Sequence, residues 1–222
     1  MPGPVKRTSA SARPRPPSLR KEKAQATRRR MMESACRVFS ERGFSATTME
    51  AVAVDAGVAV QTLYFTFHSK GDLLQAAYEY AVLGPDPTPP HLSPWWLAAE
   101  REPNVNKAVS SLVDGSVEVF ERAAPLVWVV RADEEARDAY DFNESLRVQG
   151  YAVMIDFLSR KHPLRPRLTK KKARDLLLTL LGPHVFFLLT TELGWTARDY
   201  RTWVKTAILR EIFAIDPGIK LK

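Results

Sequence analysis

The chain has 222 residues, of which 45% are hydrophobic and 26% charged, the composition of an ordinary globular protein. Its single cysteine, Cys36, excludes an internal disulfide and a cysteine-based zinc cluster. The net charge of +8 is concentrated at one end, because residues 1–30 carry ten basic side chains against one acidic one. A basic segment of this kind favours the phosphate backbone of nucleic acid as a partner.

Residues 1–20 contain five of the 16 prolines, several arginines and almost no apolar side chain. A segment that buries so little apolar surface cannot offset the entropy lost on ordering it, so we predict a disordered basic arm. Two roles stay open for this arm: it contacts DNA, or it only keeps the protein soluble.

The first helix is predicted from about Ser18 to Gly43, where the glycine ends it. Apolar residues recur at helical spacing on one face and include Cys36, so we expect a buried structural thiol there. Arg28–Arg30 lie in the early turns. They are either phosphate contacts or part of a solvated face.

Residues 47–67, TTMEAVAVDAGVAVQTLYFTF, predict two short helices joined by a tight turn. Thr47 or Thr48 can cap the first of them, and Thr47 with Glu50 fits a capping box. Gly57 lies where the chain must leave this helix, a position that often requires a positive φ.

The second short helix is predicted from Ala59 to about Phe65. Two short helices that cross around a glycine-containing turn form a helix-turn-helix, whose second helix enters the major groove of DNA. Within the aromatic cluster that follows, we expect Phe67 to belong to the core. Tyr64 is expected to face the DNA, because its hydroxyl gives the ring a polar end.

The next helix opens at a second capping box, Ser69 with Asp72, and ends the predicted N-terminal unit. Residues 84–94 carry five more prolines and cannot be helix interior. They are predicted to link two domains. The division is therefore a helix-turn-helix domain over 21–83, a linker over 84–94 and a larger domain over 95–222.

The C-terminal part shows only helical periodicity. One amphipathic helix begins near Val105 and is predicted to end at Pro125, followed by segments over about 126–139 and 142–159. A further helix starts near Thr169 and is expected to kink at Pro183. Thr196 with Asp199 caps the last one. The predicted fold is all-α, with a three-helix N-terminal domain, a larger C-terminal helical bundle and about nine helices.

The helix-turn-helix and the helix after it contain a set of residues in a fixed order and spacing: Thr48-x3-Val52-Ala53-x2-Ala56-Gly57-Val58-x4-Leu63-Tyr64-x2-Phe67-x2-Lys70-x2-Leu73. This pattern resembles the N-terminal signature of TetR-family transcriptional regulators, and the resemblance covers roughly Arg28 to Leu83. The run from Leu193 to Tyr200 is also similar to the closing segment of that family.

The resemblance implies a homodimer with two DNA-binding heads, whose last two helices form a four-helix bundle between the copies. It also implies a small-molecule pocket in the helical body. The family's DNA-contact positions correspond here to residues of both motif helices and of the helix that follows: Thr48, Glu50, Val60, Gln61, Thr62, Tyr64, Phe65, Thr66 and Lys70.

The chain departs from the family pattern at three positions. Ala59 stands where a serine cap is usual, Val60 where lysine or arginine is frequent, and Glu50 where a basic residue is common. Gln61 can then bond an adenine edge twice, while Val60 and the methyl of Thr62 can touch a thymine methyl. Three side chains are better suited to holding phosphates than to reading bases: Tyr64, Thr48 and Lys70.

The effector pocket has no sharp signal in the sequence. Large aromatic residues are frequent in the C-terminal part, but a hydrophobic core has the same composition as an apolar pocket. The candidate ligand-binding residues are Trp128, Tyr151, His184 and Phe187. For His184, a satisfied position in the core is the favoured interpretation, and a role in the effector pocket is the second one.

Other classes of function are not favoured. No nucleophile elbow, phosphate-binding loop or zinc-protease motif occurs, so an enzyme is not expected. The acidic residues 133–138 have no histidine nearby and predict a solvated face; no metal or cofactor is expected. The longest apolar stretch, 176–189, is shorter than the roughly 20 residues that cross a bilayer, so we expect a cytoplasmic, nucleoid-associated protein without a membrane contact. The alternatives within the DNA-binding class are an effector-independent factor or an activator.

Overall fold

The structure is a computed structural model that describes residues 19–85, 87–132, 134 and 137–216. These residues are helical without a strand, which confirms the all-α prediction. The N-terminal helices, which we call the head, are α1 (Leu19–Ala46), α2 (Met49–Ala56), α3 (Val60–Phe67) and α4 (Lys70–Leu83). The remaining helices, which we call the body, are α5 (Pro94–Arg101), α6 (Val105–Ala132), α7 (Arg137–Lys161), α8 (Lys170–Leu180), α9 (Pro183–Phe187) and α10 (Ala197–Phe213).

The predicted kinked helix is present as α8 and α9, separated at Gly182, so the described residues agree with the expected number of about nine helices. Most of the predicted arm, residues 1–18, lies outside the described residues. The same holds for Asp133 and Glu135 of the acidic segment.

The predicted capping box of Thr47 and Glu50 is wrong. Gly43 breaks α1 with a φ of 73°, and the hydroxyl of Thr47 donates to the Gly43 carbonyl at 2.7 Å. Because Thr47 is buried in this contact, the cap of α2 falls to Thr48, whose side chain accepts from the Ala51 N–H at 3.1 Å. The alternative prediction, that Thr48 caps this helix, is therefore confirmed.

The head and the body share one long helix. Four buried residues of α6, Ala123, Leu126, Val127 and Val130, belong to the same core as the buried side chains of α1 to α4. Arg122 adds a polar link, since its Nε donates to the Ala81 carbonyl near the end of α4 at 3.1 Å. The proline-rich segment 84–94 holds a short 3-10 turn, Pro90–Leu92, and the first residue of α5. The core of the head thus continues onto the body across this segment.

The prediction that Pro125 ends a helix is also wrong, because α6 continues to Ala132. Proline removes one backbone hydrogen bond from the helix interior. Its neighbours Ala124 and Leu126 are almost fully buried, in the body core and the head core respectively. The helix is held by packing on both sides of the proline. The next helix, α7, begins at Arg137 rather than near residue 142.

The break at Gly182 leaves carbonyl groups at the end of α8 without helical partners. The hydroxyl of Tyr200 donates to the Leu180 carbonyl at 2.8 Å, and the hydroxyl of Tyr151 donates to the Leu181 carbonyl. By length and composition alone, the run 170–192 is apolar enough to cross a membrane. In the fold it is broken at Gly182, and Phe186 in its second half packs against Phe120 and Tyr200 in the body core.

Cys36 provides a direct test of the packing between α1 and α4. Its thiol donates to the Ala77 carbonyl at 3.3 Å, and burial raises the pKa of the thiol to about 12. We expect the folded protein to resist alkylation by iodoacetamide at pH 8, because the thiolate is the reactive form. The same protein in denaturant should be alkylated at its one cysteine, as measured by mass spectrometry; fast labelling of the folded protein would contradict this packing.

Candidate nucleic-acid interface

The turn between α2 and α3 is fixed by backbone hydrogen bonds. Gly57 adopts the left-handed conformation, with φ 65° and ψ 41°, as predicted from its position. Its N–H donates to the Val54 carbonyl at 3.1 Å, and the N–H of Val58 donates to the Ala53 carbonyl at 3.0 Å. This arrangement closes the end of α2 and sets the direction in which α3 leaves the turn.

Two buried side chains attach α3 to the head. Leu63 and Phe67 lie one turn apart on the same face, and both are buried in the core formed with α1, α2 and α4. The helix reaches Phe67, two residues beyond its predicted end. The expectation that Phe67 is a core residue is confirmed, and the opposite face of α3 is left in solvent.

The exposed face of α3 carries no charged side chain. Gln61 and Thr62 are exposed, Tyr64 is 45% exposed and Phe65 is 86% exposed. Val60 and Thr66 are half-buried. The hydroxyl of Thr66 donates to the Thr62 carbonyl at 2.8 Å, so its proton is already used within the helix. This face therefore offers the amide of Gln61, the hydroxyl groups of Thr62 and Tyr64, the methyl group of Thr62 and the edges of two aromatic rings.

Two further predicted contacts lie on α2, where Thr48 and Glu50 are both exposed. The oxygen of Thr48 caps the helix, which leaves its hydroxyl proton free to donate to a phosphate. Val54, one turn after Glu50, is 82% exposed, and the sequence reasoning missed it. An alternating Ala-Val run looks like core, so no local signal separates Val54 from the buried Val52.

The three predicted arginines of α1 have different surroundings. The guanidinium of Arg28 lies 5.0 Å from the centre of the Phe67 ring, and Arg29 pairs with Glu33 at 2.9 Å. Arg30 is exposed and has no side-chain partner among the described residues. Arg28 therefore lies beside the end of α3, and Arg30 is the member whose charge is most available to an anion.

Lys70 has a structural contact that the sequence did not reveal. Its Nζ donates to the Phe44 carbonyl at 2.9 Å and lies 4.0 Å from the centre of the Phe44 ring. The ammonium group thus ties the end of α1 to the first turn of α4, with two protons left for another acceptor. A substitution of Lys70 would change both the packing of the head and any phosphate contact.

Three of the four candidate ligand-binding residues come together in the body. The ring of Trp128 lies 5.2 Å from that of His184 and 6.3 Å from that of Phe187. Tyr140 Oη is 3.4 Å from His184 Nε2, and burial lowers the pKa of His184. Tyr151 is not part of this group, because its side chain is buried and bonded to Leu181.

Two open clefts of the described residues lie elsewhere. One, of about 350 Å³, follows the outer side of α8 between Arg165 and Thr179. The other, of about 330 Å³, lies between α1, α4 and α6 and contains Glu33 and Arg122. Within the described part of the chain, no three His, Cys, Asp or Glu side chains are placed to hold a metal ion.

Comparison with known proteins agrees with this geometry. A family model described as bacterial regulatory proteins of the tetR family matches residues 31–77, the part of the head from α1 into α4. The HTH-type transcriptional regulator TtgR of Pseudomonas putida is 43% identical over 56 residues, 25% of this chain and 27% of TtgR. The match thus spans about a quarter of that relative.

Two solved structures share the fold of head and body together. NalD, the secondary repressor of the MexAB-OprM multidrug efflux pump in Pseudomonas aeruginosa, has a TM-score of 0.61 and 20% identity, over 86% of this chain and 97% of NalD. FadR of Bacillus subtilis in complex with stearoyl-CoA has a TM-score of 0.65 and 15% identity, over 87% of this chain and 100% of FadR.

The matched relatives are regulators, in line with the expectation that the protein is not an enzyme. The sequence match covers the head, and the structural likeness extends over the body. Residues 31–77 match the model of the tetR family of bacterial regulatory proteins, and the chain as a whole, with its helix-turn-helix head and all-helical body, shares the fold of the two solved regulators.

Proposed function

We propose that the protein is a sequence-specific DNA-binding transcriptional regulator that acts as a ligand-responsive repressor. One observation carries the proposal: α3 is anchored by Leu63 and Phe67, and its other face is exposed and uncharged. A face of this kind is suited to base edges rather than to phosphates. The protein would act in the cytoplasm, on the nucleoid.

Base reading would come from the first residues of α3. Gln61 can make two hydrogen bonds to one adenine. The half-buried Val60, the methyl of Thr62 and the exposed ring of Phe65 offer apolar contacts to thymine methyl groups. The geometry therefore supports half-sites in which A·T pairs face the start of α3.

Most of the grip on DNA would come from groups outside α3. On α1, Arg28 lies near the end of α3 and Arg30 is exposed to solvent. At the start of α2, Thr48 has a free hydroxyl proton. Lys70 at the start of α4 is proposed to hold a phosphate as well, and Tyr64 is the one side chain of α3 proposed to do so. Because phosphate contacts displace condensed counterions, these groups would set the salt dependence of binding.

A homodimer through the last two helices is part of the proposal. Leu188 and Leu193 are exposed in the segment that joins α9 to α10, and Trp195 and Trp203 beside them are half-buried. A second copy packed on this side would cover these apolar side chains. Two heads related by twofold symmetry would then read a palindromic operator.

An effector would act through the body. The aromatic group of Trp128, His184 and Phe187 lies on α6 and α9, and α6 also forms part of the head core. FadR, which shares the fold, was solved with stearoyl-CoA. An effector that weakens DNA binding must, by linkage, bind the DNA-free protein more tightly than the DNA-bound one.

Selection from a library of random duplexes with the full chain tests the proposal. We expect enrichment of two inverted half-sites whose centres lie about one helical turn apart, or a multiple of it. Enrichment of a single, non-repeated half-site would contradict the homodimer. A pool that stays random after several rounds would contradict sequence-specific reading by α3.

A further inference from the structure

A second basic surface lies in the body. Between residues 160 and 174 the chain carries eight basic side chains and no acidic one. The net charge of residues 31–222 hides this concentration, because acidic side chains elsewhere cancel it. We call this set the distal patch: Arg160, Lys161, Arg165, Arg167, Lys170, Lys171, Lys172 and Arg174.

The distal patch lies at the end of the body that is far from the head. It covers the end of α7, the loop to α8 and the first turns of α8. The Nζ of Lys161 donates to the Glu100 carbonyl near the end of α5, just before α6 begins. The opposite end of α6 lies in the head core, and a helix of 28 residues is about 40 Å long.

The loop that carries the patch is fixed to the body. The N–H of Arg165 donates to the Ile212 carbonyl of α10 at 2.8 Å, and the N–H of Leu168 donates to the Arg165 carbonyl at 3.0 Å. Leu164 and Leu168 pack against the body core. Thr169 then caps α8 through the N–H of Lys172 at 3.3 Å. The basic groups are thus mounted on ordered backbone, which lowers the entropy cost of binding an anion.

Only part of this charge is compensated within the protein. Three members have ion-pair partners on other residues: Arg165 with Glu211, Lys170 with Asp156 and Arg174 with Asp175. Arg167, Lys171 and Lys172 have no side-chain partner among the described residues. Ordinary solvated surfaces mix charges of both signs, so an uninterrupted run of one sign indicates a polyanionic partner.

The surroundings of the patch favour nucleic acid over a lipid surface. Within the described residues 156–176, no large apolar side chain is exposed, so the patch lacks the apolar contact that anchors a protein in a membrane. The free N–H groups at the start of α8 add partial positive charge for phosphate oxygens.

We propose that the distal patch binds the phosphate backbone of a second DNA duplex. Helices α1 and α4 form the contacts between head and α6, and the patch lies beyond the opposite end of α6. A straight duplex held by α3 therefore cannot also reach the patch. One molecule would hold one duplex at its head and another at its far end; only the first of these contacts depends on the proposed function.

The test uses the full chain and a double variant, Lys171→Gln with Lys172→Gln. Protein is retained on an immobilised duplex from the selection, and capture of a labelled duplex of unrelated sequence is then measured at low salt. The matched control is Arg101→Gln with Lys107→Gln, which removes the same charge at the same end of the body, near Glu100 and Glu102.

We expect the patch variant to capture about tenfold less of the second duplex while its retention on the first duplex is unchanged, since each lost phosphate contact lowers the salt slope by about 0.9. The control should capture within about twofold of the wild type. Absent capture by the wild type, or equal capture by the patch variant and the control, would overturn the proposal.

Failure of the proposed function has a different signature, because the protein would then not be retained on the selected duplex at all. In that case the affinity of the free protein for the unrelated duplex is compared between the same two variants. A loss confined to the patch variant supports the second site, and equal affinities overturn it.

Discussion

Replacing Gly115 by alanine is expected to lower the free energy of unfolding by about 1–3 kcal/mol, the usual cost of overpacking a core. A Cβ at Gly115 would lie 2.2 Å from two atoms of the Trp95 indole, closer than any packing allows. The indole is half-buried, and its Cγ lies so near the backbone that it can move away only with a change of the Trp95 backbone or of its first side-chain torsion. Its ring lies 6.0 Å from that of Trp96, and the Trp95 carbonyl accepts a hydrogen bond from Ser111 at 2.9 Å.

The same substitution at Gly150 is the matched control. There a Cβ would approach the Trp96 ring at 3.7 Å, which is ordinary van der Waals contact, and alanine is favoured over glycine in a helix by about 1 kcal/mol. We expect Gly150→Ala to be neutral or stabilising in urea denaturation. Equal changes in the free energy of unfolding at the two glycines would contradict the close contact between Gly115 of α6 and Trp95 of α5.

Replacing Gln61 by alanine is expected to reduce the preference for the selected duplex over a scrambled one by about tenfold or more. A bidentate contact to a base is worth about 1–3 kcal/mol of discrimination. The affinity for the scrambled duplex should be unchanged, because Gln61 holds no phosphate in this arrangement. Fluorescence anisotropy with both duplexes measures the two affinities.

Two further variants make this result specific. Gln149→Ala removes an exposed glutamine from α7, far from the head, and should change neither affinity. Arg30→Gln should weaken both duplexes alike and reduce the salt slope by about 0.9. If Gln61→Ala behaved like Arg30→Gln, the assignment of Gln61 to base reading would be wrong.

Local signals in the sequence were sufficient for some of the helix ends. Gly57 adopts its predicted left-handed turn, and Thr196 forms its predicted capping box with Asp199. Such motifs depend on residues three or four apart. Thr47 and Thr48 show the limit: they look alike in the sequence, and only the carbonyl left free by the break at Gly43 decides which of them caps α2.

Features that depend on tertiary packing could not be predicted in the same way. Pro125 stays inside α6 because two separate cores hold the helix on either side of it, and the sequence shows neither core. The contact of Lys70 with Phe44 joins residues 26 positions apart. In the candidate ligand site, Tyr151 and Phe187 look equally suitable, yet only Phe187 lies beside Trp128.

The distal patch shows a different limit, which comes from counting charge over long segments. Summed over residues 31–222, its eight basic side chains disappear into a total close to zero. The fold pairs three of them with acidic residues and leaves Arg167, Lys171 and Lys172 without such a partner among the described residues. Val54 is likewise distinguished from Val52 only by its exposure.

The central claim is that an uncharged α3 reads the operator while charged groups outside it supply the grip. It is tested most directly by the affinities of the wild-type protein for the selected and the scrambled duplex between about 50 and 200 mM salt. Both affinities should fall steeply as salt rises, while their ratio stays constant within about twofold, because base contacts from uncharged side chains release no counterions. A ratio that collapses towards one at the higher salt concentration would show that the preference itself depends on charged contacts, and would contradict the separation of reading from grip.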